Sequence, residues 1–179
     1  MIREFSVRVK SSNNKARTAF SLCTAIALGL IFLSMIIPVY RGIVSLVGMA
    51  LLVVAITLYT KYVSPIYYYD ITFDSEGTPL FVVRQIIGKR QTTLCRIGLS
   101  EITKIEEENS EARRSHKTPF GFKKYAYLPT LMPAVSYRLT TTSRYEKAEI
   151  LIEASGEFIS LLRSYSAEAR EMAEDDDEY

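Results

Sequence analysis

Two apolar runs near the start of the chain constrain its fold more than any other feature of the sequence. Residues 19–40 form a stretch of 22 residues without a charged side chain, and residues 43–60 form another of 18. At about 1.5 Å per residue, helices of these lengths are about 33 Å and about 27 Å long, close to the hydrocarbon thickness of about 30 Å. We therefore expect each run to span a membrane.

A break between the runs predicts that they form two helices rather than one. Pro38 disfavours a continuing helix, and Gly42 permits a tight reversal of the chain. The pattern predicts a transmembrane helical hairpin over residues 18–62. Two other interpretations stay open: a cleaved signal peptide, although the run exceeds the usual apolar length of about 7–15 residues, and a pair of buried helices in a soluble protein.

The basic residues predict how the hairpin is oriented. Residues 1–17 carry five basic side chains and one acidic side chain, whereas the turn between the runs carries only Arg41, and Lys61 follows the second run. Because cytoplasmic segments are enriched in Lys and Arg, we expect both termini to be cytoplasmic and the chain to be a multi-pass protein of the cell membrane. Residues 1–17 are accordingly assigned as a basic cytoplasmic N-terminus.

The sequence from residue 63 to residue 171 predicts a β-rich cytoplasmic domain. Short runs of β-branched and aromatic residues alternate with turn residues, as in Asp74–Thr78 and at Gly88. The predicted strands number seven and cover residues 67–73, 80–87, 91–97, 102–107, 125–131, 134–142 and 147–153. A polar stretch over residues 108–118 is expected to be a loop.

The last element is predicted to be an amphipathic helix. Ser155 is a suitable N-cap, and four apolar residues follow at helical spacing: Phe158, Leu161, Leu162 and Tyr165. Five consecutive acids over residues 174–178 are unfavourable at a helix C-terminus. We therefore expect fraying near Met172 and an acidic disordered tail over residues 172–179.

The order of these elements resembles the bacterial pleckstrin-homology-like (PH-like) membrane proteins, over about residues 18–170. The likeness is carried by Tyr69–Thr72, Gly88–Arg90, Leu99–Glu106 and Ser155–Leu162. The resemblance implies an α+β membrane protein in which a two-helix transmembrane hairpin precedes a PH-like seven-stranded β-barrel or sandwich, capped by a C-terminal helix. Many phosphoinositide-binding PH domains share a basic first hairpin loop, whereas the matching loop here, Asp74–Thr78, is acidic.

The composition argues against most catalytic and metal chemistry. The chain has one histidine and two cysteines, and no glycine spacing typical of a phosphate-binding loop. His116 lies among basic residues and is expected to be a solvated loop histidine, while Cys23 and Cys95 fall in separate predicted elements. We therefore expect no catalytic residues, no metal, no cofactor, no small-molecule substrate and no enzymatic activity.

One loop has the composition of a binding surface. Ala112–Lys124, which we call the basic segment, contains five basic residues, no acid and two interleaved phenylalanines. Basic residues with aromatic neighbours suit an anionic lipid surface. The candidate lipid- or partner-binding residues are Arg113, Arg114, Lys117, Phe120, Phe122, Lys123 and Lys124. An ordinary mobile loop, docked on the acidic tail, stays open as an alternative.

A second set of candidates lies in the apolar runs. Ser21, Ala25 and Gly29 recur every four residues and, with Gly48, would let helices approach closely. Packing inside the hairpin and contact with another subunit are equally compatible with this spacing.

These features predict a non-enzymatic, membrane-anchored binding or scaffolding module. Its expected partners are the lipid bilayer and a protein partner or a second copy of the chain. Residues 61–179 carry 16 basic and 19 acidic side chains, which argues against nucleic acid as a partner. The alternative is an accessory subunit of a larger integral membrane complex, held through the hairpin. A membrane-bound hydrolase or transferase would need a polar pocket at the open end of the barrel.

Overall fold

The computed structural model describes residues 2–9, 14–37, 40–143 and 146–177. The chain is an α+β protein with two long apolar helices and two β-sheets. It divides into two compact units, Ser11–Pro65 and a second unit that joins Met1–Lys10 to Ile66–Tyr179. The predicted break at Pro38, and Lys10 in the predicted basic N-terminus, lie outside the described residues.

The first unit is a pair of helices. Helix α1 covers Asn14–Ile36, and helix α2 covers Arg41–Leu58 and continues as a π-helical turn over Tyr59–Val63. Both are long and apolar enough to cross a membrane, and only 11% of the most apolar stretch of each is buried. A core helix of a soluble protein would be mostly buried, so the large exposed apolar surface disfavours that interpretation.

Small residues form the contact between α1 and α2. A Cβ atom at Gly48 would lie 2.8 Å from Ile31 Cγ1 and 3.2 Å from the carbonyl oxygen of Ala27. Ala27 is itself fully buried. Gly48 therefore lies at the contact between α1 and α2. The stripe of Ser21, Ala25 and Gly29 is exposed instead, and a Cβ at Gly29 would meet nothing within 4 Å.

This contact predicts a difference between two glycines of the same helix pair. Gly48→Leu is expected to lower the thermal stability of the detergent-solubilised chain, because the new side chain must push α1 and α2 apart. Gly29→Leu is the matched control and should leave the melting temperature unchanged. Equal melting temperatures for the two variants would contradict this packing.

The first sheet contains four antiparallel strands and begins before the helices. Strand β1 covers Phe5–Val9, β2 Ile66–Phe73, β3 Pro79–Ile87 and β4 Arg90–Gly98, in the order β1-β2-β3-β4. The sequence analysis assigned residues 5–9 to a basic N-terminus and predicted no strand there. Val7 and Val9 pack against the core, whereas Arg8 is exposed. The short alternation of apolar and polar residues therefore forms a strand, although the segment is basic in composition.

The second sheet contains β5 Ile102–Asn109, β6 Phe122–Tyr127, β7 Val135–Thr142 and β8 Lys147–Ile152, in the order β5-β7-β8-β6. Strand β6 is parallel to β8, whereas the other pairs are antiparallel. The described residues thus form eight strands rather than the expected seven, and of the expected barrel or sandwich they form two sheets without a closed barrel. The parallel pair arises because the chain crosses back over the sheet between β5 and β6.

Two helices complete the second unit. Helix α3, Ser110–Ser115, lies in the stretch predicted to be a loop, and the side chain of Asn109 caps it by accepting from the Glu111 and Ala112 amides. Helix α4 covers Gly156–Asp177, and Ser155 caps it as predicted, accepting from the Phe158 amide at 3.3 Å. The described helix extends past Met172, where the sequence analysis expected fraying and a disordered tail.

An aromatic cluster fills the core of this unit. Tyr69, Phe81 and Phe158 are buried, and their ring centroids lie 6.2–6.3 Å apart. The Tyr69 hydroxyl donates to the Tyr127 carbonyl at 2.7 Å and accepts from the Glu153 amide at 3.2 Å. This one side chain therefore connects the two sheets, and its burial raises the pKa of its hydroxyl.

Candidate functional site

A cleft opens where the two sheets separate. Strands β4 and β6 each have a single neighbour and form the edges of their sheets, and between them lies a cavity of about 340 Å³. Its walls are mainly apolar, and its polar rim comes from β4, the β4–β5 corner and the β7–β8 connection. The main lining residues are Leu94, Cys95, Ile97, Tyr125, Tyr127, Glu146, Ala148 and Ile150.

Tyrosines hold the cleft in shape. The Tyr127 hydroxyl donates to the carbonyl of Leu94 at 3.1 Å, which connects the two strand edges by a side chain instead of a β-ladder. The rings of Tyr125 and Tyr127 are stacked, with centroids 6.3 Å apart and an interplanar angle of 4°. Apolar walls with a few fixed polar groups are typical of a binding cavity.

The cleft contains ionisable groups whose pKa values are shifted by burial or by hydrogen bonds. Burial raises the pKa of the Cys95 thiol to about 11 and the pKa of the Tyr127 hydroxyl to about 12, so both are protonated at neutral pH. At the rim, hydrogen bonds from Tyr125 at 2.8 Å and Lys123 at 3.1 Å lower the pKa of Glu146. The rim therefore carries a fixed carboxylate already engaged by two donors.

The basic segment is only partly free. Arg113 donates to the Ser136 hydroxyl and to the Pro133 carbonyl, both at 3.1 Å, and Lys123 pairs with Glu146. Phe120 is fully exposed, and Phe122 is half-buried. The remaining candidates, Arg114, Lys117 and Lys124, are exposed. The structure thus gathers the seven predicted residues on one crossing of the chain and uses two of them for internal contacts.

His116 differs from the sequence prediction. The sequence analysis expected a solvated loop histidine, but the imidazole Nε2 lies 2.9 Å and 3.2 Å from the two carboxylate oxygens of Glu149. The His116 side chain is 25% exposed and the Glu149 side chain 4% exposed. The prediction of a solvated residue was wrong because the crossover before β6 covers the outer face of the second sheet.

Beneath this crossover lies a buried charged cluster. Arg138 on β7 donates to Glu108 on β5, and its Nε lies 4.0 Å from a Glu149 oxygen on β8. All three side chains are buried. Within the described residues, Glu108 Oε2 and Arg138 Nε have no hydrogen-bond partner, so the cluster depends on the pairing of the guanidinium with the two carboxylates.

Sequence reasoning missed both the cluster and the cleft. The signal for the cluster was present: Arg138 is the only charged residue of β7, and Glu149 lies among apolar residues of β8, a pattern that indicates a cross-strand pair. The cleft residues gave no such signal, because Leu94 and Tyr127 become neighbours only through the separation of the two sheets.

The strand register determines which end of the β unit the basic segment occupies. Val9, Ile66 and the Ile87–Arg90 turn form one end of the first sheet, which we call the junction end because the chain leaves it for the helices and returns to it there. Strand β4 runs from this end to Gly98, and β5 begins directly after it.

The basic segment meets the second sheet at the opposite end. Phe122 pairs with Lys147, Lys147 pairs with Thr142, and the Thr142 amide donates to the Glu101 carbonyl at 3.0 Å, beside the start of β5. The cleft rim and the Phe122–Lys124 part of the basic segment therefore adjoin the end of the first sheet away from the junction end.

Metal and disulfide chemistry have no support in the part of the chain that is described. No group of three or more His, Cys, Asp or Glu side chains there is arranged to hold a metal ion. Cys23 and Cys95 are both free thiols.

Comparison with protein-family models, with curated proteins and with solved structures gives no match to this chain. The functional inference therefore rests on the geometry of the chain itself.

The raised pKa of the Cys95 thiol predicts that this cysteine is alkylated slowly. In a Cys23→Ala variant, alkylation of folded Cys95 by iodoacetamide at pH 8 should be about tenfold slower than alkylation of the denatured chain. A pKa higher by two units lowers the thiolate population about a hundredfold, and the greater nucleophilicity of that thiolate restores about tenfold. Equal rates would contradict the burial of Cys95.

The buried cluster predicts a large stability effect. Arg138→Met should lower the free energy of unfolding by about 3–5 kcal/mol, because Glu108 and Glu149 would stay buried without their counter-charge. Lys104→Met removes the exposed partner of Glu106 on the same sheet and should change stability by at most about 1 kcal/mol. Denaturant unfolding followed by circular dichroism measures both free energies. Similar decreases for the two variants would contradict the burial of the charged cluster.

Proposed function

We propose that the chain is a non-enzymatic binding module, anchored in a membrane by α1 and α2, with its β unit and both termini in the cytoplasm. One observation carries the proposal: the two apolar helices are inserted between the paired strands β1 and β2, with Val9 opposite Tyr67. Both ends of the helix pair are thus connected to one sheet, as expected if they emerge on the same side of a membrane.

Charge supports the orientation. Residues 1–17 carry five basic side chains and one acidic side chain, whereas Arg41 is the only charged residue between the two apolar runs. By the positive-inside rule, residues 1–17 and the attached β unit would lie on the cytoplasmic side. Tyr59 and Tyr62, at the return end of α2, are suited to the membrane interface on that side.

We further propose that the cleft between β4 and β6 binds an extended segment of a protein partner. Edge strands offer backbone donors and acceptors to an added strand, and a cavity beside them accepts its side chains. The protonated states of Cys95 and Tyr127 support binding rather than nucleophilic catalysis. The position of the cleft, away from the junction end, would leave it accessible from the cytoplasm.

The PH-like relationship remains part of this proposal. It is supported by a β-rich unit that ends in one helix, α4, whose Phe158 and Leu162 enter the core. The eighth strand and the parallel pairing of β6 with β8 are features that the resemblance does not imply.

The accessory-subunit alternative is favoured by a separate observation. Ser21, Ala25 and Gly29 are exposed on α1 and take no part in the contact with α2 at Gly48. A second membrane protein packed there would be displaced by Gly29→Leu, whereas the cleft would be unaffected. A change in the size of the detergent-extracted assembly on this substitution would favour the alternative.

Site-specific photo-crosslinking tests the cleft in the full chain. A photoreactive residue at Leu94, which lines the cleft, should give a discrete protein adduct in native membranes, whereas one at the exposed Thr93 on the same strand should not. Ala148→Phe fills the cavity and should abolish the adduct, while Ala126→Phe, at an exposed position of the same sheet, should preserve it. An adduct that survives Ala148→Phe would count against a partner in the cleft.

A further inference from the structure

The β3–β4 turn, Ile87–Arg90, has the composition of a surface that meets anionic lipid. Ile87 is 45% exposed although it is a large apolar residue, and Lys89 and Arg90 are exposed without an ion pair to any described residue. Gly88 adopts a φ of +60°, which shapes the turn tightly. An exposed isoleucine beside two free cations is a combination suited to the headgroup boundary of a membrane.

The turn lies at the junction end of the first sheet. Ile86, the residue before it, is paired directly with Ile66, the first residue of β2. Two residues, Ser64 and Pro65, separate Val63, where the π-helical turn ends, from Ile66, and the three Cα–Cα steps between them span at most about 10 Å. Since adjacent strands are about 5 Å apart, covalent geometry keeps Ile86 within about 15 Å of the end of α2.

The surrounding charge is favourable to an anionic surface. Of the four basic residues between Pro79 and Gly98, Arg84 and Arg96 pair with Asp70 and Asp74. Lys89 and Arg90 remain, and the stretch from Tyr59 to Tyr69 contains no acid. Arg8, exposed on β1 at the junction end, adds a further positive charge. The attraction of Lys89, Arg90 and Arg8 to an anionic leaflet would act over about the Debye length of 8–10 Å.

The basic segment is less well positioned for the same role. Its Phe122–Lys124 part adjoins the end of the β unit away from the junction end, and Arg113 and Lys123 are engaged internally. Composition alone favours this segment as the lipid contact, but the strand register favours the turn.

We propose that the Ile87–Arg90 turn is a docking surface for anionic phospholipid headgroups, with Ile87 inserted at the boundary and Lys89 and Arg90 on the phosphates. This inference rests on the proposed membrane anchoring by α1 and α2. It adds a second contact, which would fix the orientation of the β unit relative to the bilayer and keep the cleft turned toward the cytoplasm.

Tryptophan fluorescence tests the proposal, because the chain contains no tryptophan. Three full-length variants each carry one reporter: Ile87→Trp in the turn, Phe120→Trp in the basic segment and Phe32→Trp on the exposed face of α1. Each is reconstituted into vesicles of phosphatidylcholine alone or mixed with phosphatidylglycerol. Acyl chains brominated close to the headgroup serve as quenchers. Gln91→Trp, at an exposed position beside the turn, is the replacement reporter should Ile87→Trp fail to fold.

The expected result separates the three reporters. Phe32→Trp should be quenched in both lipids, Ile87→Trp should shift to the blue and lose fluorescence only when phosphatidylglycerol is present, and Phe120→Trp should behave as a solvent-exposed side chain. Added salt should reverse the effect at Ile87→Trp. The substitutions Lys89→Gln and Arg90→Gln, made in the Ile87→Trp variant, should abolish this blue shift and quenching. The charge-matched control pair Lys123→Gln and Lys124→Gln should preserve them.

Other outcomes overturn the proposal in distinguishable ways. Quenching of Phe32→Trp without quenching of Ile87→Trp would leave the membrane anchor intact and remove the docking surface. A blue shift of Ile87→Trp without quenching would indicate contact with protein, such as a second copy of the chain. Quenching that persists after Lys89→Gln and Arg90→Gln would refute recognition of anionic headgroups. Absence of quenching at Phe32→Trp would refute the anchoring proposal itself.

Discussion

The pairing of β1 with β2 is the interaction on which the rest of the architecture depends. It joins residues on either side of the two apolar helices, from Phe5 opposite Ile71 to Val9 opposite Tyr67. Closing a long loop costs little more than closing a moderate one, since the entropy grows with the logarithm of length. The contact between α1 and α2 at Gly48 reduces that cost further, because a helix pair returns its two ends to the same side.

A second constraint is polar and operates in the other sheet. Arg138, Glu108 and Glu149 are buried on the outer face of that sheet because the crossover between β5 and β6 covers it. Desolvated charges of this kind are tolerated only when they are paired. The sheet also positions two side chains of the crossover, because His116 contacts Glu149 and Arg113 donates to the Ser136 hydroxyl. The basic segment is therefore a structural element of the fold as well as a charged surface.

These two constraints give the β unit two distinct ends. The junction end carries the chain to and from the helices and includes an exposed basic turn, whereas the other end carries the rim of the cleft between β4 and β6. A binding module that contacts a membrane at one end and a protein partner at the other needs such a difference between its two ends. The two proposals made for the chain, lipid contact at the turn and a protein segment in the cleft, assign one partner to each end.

The sequence alone determined the features set by local pattern. Long charge-free runs predict α1 and α2, alternating residues predict strands close to β2, β3, β4, β5, β7 and β8, and helical spacing with Ser155 as cap predicts α4. Only the tertiary structure decided the role of Phe5–Val9, the parallel pairing of β6, the anchoring of His116 and the cleft beside Tyr127. Each of these depends on partners distant in the chain, and residue periodicity carries no information about which distant segments meet.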